Sequence, residues 1–490
     1  MAIVLPAKDS GQVKNMNLAR NIGRLIFAAG NGMTARRWSF LIALFMLGVA
    51  PPGSAQNSAT ETPITLEHAV AIALEKNPEA KAALADTKAA TADVQAARSA
   101  FLPHVTFFET ATRGNDPVYV FGSKLRQQRF TTQDFALNVL NTPQPFGNFS
   151  TRFGGSWTLF DSFASQHAMT RAGLMKKAAD RQLERTEQQI EYEVIEAYFG
   201  ALLAKRRIAV VEQSLKTAQA ISDRSKNRYE SGVIVESDYL SAQVRVKDHQ
   251  QELIRRQNDF SLAKAKLSMV LGLSTQGIFD PIDELAKRAL PKLQLEDLEK
   301  MAMESRPDLQ RLQSGEEIQR QNVSIAKSSF GPRINGFADW QLDNPTFLVG
   351  GGGSNWVAGI ELQLDLFQGG AKRAQLARET ATLEKVSALH EAAKDAARLE
   401  VRREYYDMDA AARQLDLALL AIDDAKESLR VNQDRYEAGL STITDLLAAE
   451  ESTARTQSAY WEALCRYYTS YAATELASGT LNSHSPVVVP

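Results

Sequence analysis

RYESGVIVESDYLSAQ (residues 228–243) and RYEAGLSTITDLLAAE (435–450) are two versions of one phrase, 207 positions apart. VQAARSAFLP (94–103) and VSIAKSSFGP (323–332) are a second pair, 229 apart. Such a period is far longer than any solenoid unit, so the chain is two copies of a large supersecondary unit rather than an array. The change of offset leaves 22 extra residues in copy one, between the two landmarks.

Each copy opens on two short helical segments, over about 66–100 and 295–329. They are divided at Pro78 and Pro307, since proline lacks a donor and disfavours helix at the residue before it. Extended segments follow. Ile334, Gly336, Ala338, Trp340 and Leu342 alternate with Asn335, Phe337, Asp339 and Gln341. After the turn GGGGSN (350–355), Trp356, Ala358, Ile360, Leu362, Leu364 and Leu366 alternate with Val357, Gly359, Glu361, Gln363 and Asp365. Period two with one apolar and one polar face is a strand pattern, and these two strands read as a hairpin within about 330–367. The copy-one hairpin (about 101–160) has a clear returning strand, with Phe149, Phe153, Trp157 and Leu159 on one face and Ser150, Arg152, Ser156 and Thr158 on the other. Its outgoing strand is weaker, and Glu109 falls on the apolar side. The extra residues lie between these strands, so 114–148 is expected to be a long loop at the hairpin tip, where insertions cost little.

After each hairpin comes a proline-free stretch of 71 residues, about 161–231 and 368–438, roughly 100 Å as a helix. Ala172, Ala179, Leu183, Ile190, Val194, Ala197 and Ala201 recur at near-heptad spacing among charged residues, the composition of a coiled coil. Gly232 and Gly439 end these stretches as C-terminal caps. Ser237-Asp238 and Thr444-Asp445 supply N-cap chemistry for return arms over 237–271 and 444–478. A long arm equals two short ones in length. The return arm of one copy and the entry helices of the other are therefore expected to stack along it.

Arg36 and Arg37, the apolar run 38–50 and PPGSA form the three-part layout of a secretory signal peptide, so 1–55 is read as leader, 56–290 as the first repeat, 291–481 as the second and 482–490 as a tail. Without 1–55 the chain has 50 basic and 57 acidic side chains, a net charge of −7, which argues against a nucleic-acid partner. The single cysteine, Cys465, sits among Leu464, Tyr467 and Tyr468 and reads as a buried structural thiol. Six histidines show no ligand spacing, and no nucleophile elbow or phosphate loop is present, so neither an enzyme nor a metal or cofactor site is expected. The four strands admit two solutions: a small sandwich, or a share of a transmembrane barrel, which two copies would fill with side chains and three would open into a lumen.

The two tip motifs, their place at helix turns and the segment lengths resemble the TolC-type outer membrane efflux protein family over residues 62–481. The resemblance implies a mainly α chain of duplicated long-helix coiled-coil hairpins with two β-hairpins. Three copies would trimerise into a 12-stranded β-barrel in outer-membrane lipid, continuous with an α-helical periplasmic tunnel. It also implies a passive exit duct for a tripartite efflux pump or type I secretion system, with a periplasmic adaptor and an inner-membrane pump as partners. At the periplasmic entrance it implies a gate of Asp445, Tyr436, Asp238, Ser237 and Ser441. Arg228, Tyr229, Gly232, Arg435 and Gly439 would contact the adaptor. The best-known member of that family has a second gate aspartate where this chain has Ala448, and an arginine two residues beyond the tip glycine where this chain has Ser441. Asp238 and Asp445 also read as plain helix caps, and Gly232 and Gly439 as plain turn residues. A pore-free periplasmic adaptor or scaffold is the competing function.

Overall fold

The structure, a computed structural model, describes residues 62–273, 279–347 and 353–489. The signal-peptide reading of 1–55 and most of the Gly350–Gly353 turn lie outside the described residues.

Each repeat follows the same plan. In the first, α1 (Leu66–Lys76) and α2 (Pro78–Arg98) lead to β2 (His104–Gly114) and β3 (Phe146–Phe160), then to the long helix α5 (Ala164–Glu230) and its return α6 (Glu236–Val270). In the second, α7 (Leu295–Ser305) and α8 (Pro307–Ser328) lead to β5 (Arg333–Asn344) and β6 (Gly353–Gln363), then to α9 (Ala371–Glu437) and α10 (Ile443–Ser478). Pro78 and Pro307 occupy the first helical position, where a missing N–H costs nothing. The two long helices are 67 residues each. Of the seven near-heptad positions, Ala172, Ile190, Val194, Ala197 and Ala201 are buried, and Ala179 and Leu183 are half-buried.

The two hairpins are one four-stranded antiparallel sheet in the order β2-β3-β5-β6. The join runs from Phe149 opposite Asn344 to Phe160 opposite Ile334. Its register places the two polar faces on the same side. Thr106, Arg152, Asp339 and Glu361 share that side, while Phe107, Phe153, Trp340, Trp356 and Ile360 share the other. Trp356 is 78% and Ile360 72% exposed. Glu109 does stand on the apolar side, and its carboxylate accepts from Thr151 Oγ1, its cross-strand partner, at 2.6 Å. A separate two-stranded parallel pair, β1 (Thr62–Ile64) with β4 (Phe279–Pro281), ties the start of the first repeat to the linker between repeats.

The stacking of short helices differs from the expectation in one respect. Each return arm meets the entry pair of its own repeat, not of the other. Gly272 lies so close to Asn77 that a Cβ would stand 2.6 Å from Asn77 Cα, and Gly479 stands in the same relation to Arg306 at 2.8 Å. Both glycines have positive φ (+70° and +75°), so both the conformation and the space select glycine. Asn77 Nδ2 donates to Val270 O at 2.9 Å, and Arg306 Nη1 donates to the equivalent Ala477 O at 3.0 Å.

The main core lies midway along α5. Phe199 and Tyr468 stack with centroids 5.1 Å apart, and buried Tyr198 donates to Ile64 O and Asp283. Cys465 is buried there as expected, its Sγ 3.6 Å from Phe199 O, and burial pushes its thiol up to about 12. No helix among the described residues is long and apolar enough to cross a membrane.

The candidate gate at the helix-hairpin tips

Both tips begin alike. Gly232 and Gly439 take φ of +70° and +72°, and Val233 N and Leu440 N reach back to Arg228 O and Arg435 O at 2.8 Å, the closed C-terminal turn the glycines foretold.

The next helix starts differently from expectation in both copies. The N-cap of α10 is Thr442, and Asp445 is the third residue of that helix. Asp445 N donates to Thr442 Oγ1 at 3.2 Å, while Asp445 Oδ2 accepts from Thr442 N at 3.1 Å, Thr442 Oγ1 at 2.7 Å and Ser441 Oγ at 3.1 Å. This is a capping box. The hydroxyl and backbone donors of Thr442, then Ser441, hold the Asp445 carboxyl below its usual range, so the exposed side chain stays charged. In copy one the cap is Val235, with no side-chain bond, so Ser237 and Asp238 are not caps. Valine has no acceptor to offer. Exposed Ser237 and half-buried Asp238 sit in the first turn of α6, where the helix dipole favours the carboxylate.

Tyr436 is buried between the hairpins, in a small core with Ile221, Ala242, Ile443 and Leu446. Its hydroxyl lies 3.2 Å from Ser225 Oγ. Arg228, from the other repeat, places its guanidinium 5.0 Å from the Tyr436 ring centroid and donates Nη1 to Tyr436 O at 2.8 Å. Arg224 pairs with Glu437 alongside. Tyr229 instead stacks on Tyr239 of its own hairpin, centroids 6.0 Å apart, and Arg435, Gly232 and Gly439 are exposed. The tip residues therefore divide: Arg228 and Tyr436 join the two repeats, Asp445 and Ser441 close one turn, Asp238 is half-buried, and the rest are exposed.

A second cross-repeat contact was not foreseen. Glu450, buried on α10, accepts from Arg245 Nε at 3.4 Å and stands 3.2 Å from His249 Nε2, both on α6. Arg245 also reaches Glu451 at 2.9 Å. A glutamate inside a helical repeat looks like solvated surface in sequence; only its matching to an Arg-x-x-x-His spacing on the facing helix would have marked it.

Two long helical hairpins joined near their tips, and a four-stranded sheet with an exposed apolar face, fit a membrane channel protein with a long helical extension. Residues 69–273 and 298–480 match the outer membrane efflux protein family, and the chain belongs to it. That family is one of channels and not of enzymes. The chain is 22% identical over 425 residues to the alkaline protease secretion protein AprF of Pseudomonas aeruginosa, covering 84% of this chain and 83% of that one. It is 24% identical over 299 residues to protein CyaE of Bordetella pertussis, covering 60% of this chain and 63% of that one. Among solved structures, the outer membrane protein VceC of Vibrio cholerae superposes with a TM-score of 0.70 at 19% identity, over 84% of this chain and 96% of that one. A membrane protein from Pseudomonas aeruginosa gives 0.73 at 20%, over 84% and 93%.

Proposed function

We propose that three copies close into a 12-stranded barrel in the outer membrane, continuous with a periplasmic helical tunnel, and that this serves as the passive exit duct of a tripartite efflux or type I secretion system. The observation that carries this reading is the coincidence of two open edges. The sheet ends at β2 on one side and β6 on the other. The helices follow the same order: α5 packs against α2, α6, α8 and α10, and α9 packs against α8 and α10 at the far side. β2 follows α2 and β6 precedes α9, so the open edges of sheet and helix layer fall on the same two sides. One rotation closes both. Exposed Leu240, Val244, Ile254 and Leu262 on α6, and Leu389, Leu399, Leu417 and Leu420 on α9, are then covered by the neighbouring copy. Open strand edges are a liability, and closure removes them.

In this assembly the polar sheet face lines the lumen and the Trp/Phe/Ile face meets lipid, as barrels in outer membranes require. A periplasmic adaptor without a pore has no use for such a face. The Arg228–Tyr436 and Glu450–Arg245–His249 contacts hold the closed entrance, three Asp445 carboxylates set its charge, and exposed tip residues including Tyr229, Gly232, Arg435 and Gly439 are offered to an adaptor. An inner-membrane pump supplies the energy.

The test is fractionation and gel migration. A heat-modifiable trimer in the outer-membrane fraction is expected; a soluble periplasmic monomer refutes the duct.

A further inference from the structure

The insertion between β2 and β3 is not the featureless loop its sequence suggests. It carries helix α3 (Pro117–Arg126), a 3-10 turn at Thr132–Phe135 and helix α4 (Leu137–Asn141). Asp116 caps α3 by accepting from Tyr119 N at 2.8 Å. Lys124 pairs with Asp134 at 2.6 Å, and Phe121, Phe130 and Phe135 pack edge to face. It is therefore a folded unit.

Where it lies decides its role. Val120, Ser123 and Gln127 are buried, and α3 crosses over β3, β5 and β6. Gln127 Nε2 donates to Gly147 O at 3.0 Å and to Asn148 Oδ1 at 2.7 Å; Asn148 Nδ2 donates in turn to Asp343 at 2.6 Å. Asn355 Nδ2 donates to Arg126 O at 3.3 Å. A Cβ on Gly353 would stand 1.9 Å from that carbonyl oxygen, so glycine at the start of β6 makes room for the helix end. By register Asn148, Asp343 and Asn355 all belong to the polar face. The helix thus lies on the face that, under the barrel reading on which this inference rests, is the lumen.

We propose that the insertion is a lumenal plug that sets the size limit at the outer mouth of the channel, a second constriction at the opposite end from the helix tips. Strands ~4.8 Å apart and tilted ~40° give a 12-stranded barrel a backbone diameter of roughly 24 Å. Helices ~10 Å thick lying against this wall from three sides would leave only about 4 Å of the diameter open, so three plugs narrow the mouth to a small gap. The plug is held to the wall mainly by polar contacts, which lumenal water can replace, so it can swing aside for cargo without exposing a large apolar surface.

The experiment uses intact cells and the full chain. Ser150→Cys places a thiol on the polar face beneath α3; native Cys465 is buried and does not compete. A polyethylene-glycol maleimide applied outside should label Ser150→Cys roughly tenfold more slowly in the full chain than after Val120→Asp, which buries a charge under the helix and unseats it, or after replacement of 118–142 by a short Gly-Ser linker. Equal rates in the full chain and in whichever of these variants reaches the surface overturn the plug. Pro345→Cys in the full chain, exposed at the end of β5 and outside the insertion, is the separate control. If it fails to label from outside, the outer-membrane reading itself fails, whatever the plug does.

Discussion

Arg228 covers Tyr436: its guanidinium lies 5.0 Å from the ring centroid and donates to the Tyr436 carbonyl oxygen at 2.8 Å. The two residues occupy different positions of the repeated Arg-Tyr phrase, one from each copy, so the motif binds itself across the repeats. Together the two interactions contribute about 1–2 kcal/mol. Arg228→Ala should therefore raise the open fraction of the entrance about five- to thirtyfold, seen as higher single-channel conductance in planar bilayers and as greater cell sensitivity to a bulky hydrophilic antibiotic. Glu450→Gln should act in the same direction by uncoupling Arg245 and His249. Unchanged conductance in both would leave these contacts as packing alone.

The partner half of the phrase is unused within one copy, since Tyr229 stacks on Tyr239 and Arg435 is exposed. In the proposed trimer, threefold closure of a twofold repeat would give pseudo-sixfold symmetry and would bring Arg435 to Tyr229 of the neighbouring copy. Arg435→Cys with Tyr229→Cys should therefore cross-link into dimers and trimers with a short bis-maleimide. Products that remain monomeric would show that the tips stand apart between copies.

Asp445 combines a cap with a charge, and two substitutions separate them. Asp445→Asn removes the charge and should reduce cation selectivity, measured as a shift in reversal potential under a salt gradient. Thr442→Val removes the capping box and keeps the charge, so it should cost stability of about 1 kcal/mol and leave selectivity in place. Because hydrogen bonds from Thr442 and Ser441 lower the Asp445 pKa, wild-type selectivity should persist into mildly acidic solution.

What sequence reasoning could see here depended on repetition. Pro78 and Pro307, or Gly232 and Gly439, act through their own backbones, so each copy announced its helix boundaries and the other confirmed them. Strand faces were equally plain, because alternation is local. The joining of the hairpins through β3 and β5 was not, since pairing between two amphipathic strands leaves no mark on either. Ser237-Asp238 looks like a cap in sequence because the residue that occupies the cap position, Val235, lies just upstream and offers no side-chain acceptor. The folding of 114–148 depends on contacts such as Gln127 with Asn148, which composition does not disclose.

Gly272 and Gly479 make matching joints, and they should fail in matching ways. An added Cβ meets backbone at 2.6 Å and 2.8 Å and also strains a positive φ. Gly272→Ala or Gly479→Ala should each cost about 1–3 kcal/mol, read as a lower midpoint in thermal melts of the purified protein. Gly232→Ala has the same φ penalty but open space around it, so its loss should be smaller.

Two buried carboxylates make stability depend on pH. Burial, with Glu187 and Glu475 nearby, pushes Glu191 up to about 7; burial likewise pushes Glu475 up to about 7, against the hydrogen bond from Ser485. Each has one carboxylate oxygen without a partner. They flank the C-terminal segment, whose Leu481, Val487 and Val488 are buried, and where Gln188 Nε2 donates to Gly479 O at 3.0 Å. A raised folded-state pKa means the folded chain holds protons that the unfolded chain releases. The stabilisation is complete below the ordinary glutamate pKa of 4.5 and is lost as pH rises to about 7. With each pKa unit contributing ~1.4 kcal/mol, the pair contributes at most several kcal/mol between these limits. Melting temperature should therefore fall from pH 5 to pH 8, and Glu191→Gln with Glu475→Gln should flatten that slope while raising stability at pH 8. A slope that survives both substitutions assigns the effect to other groups.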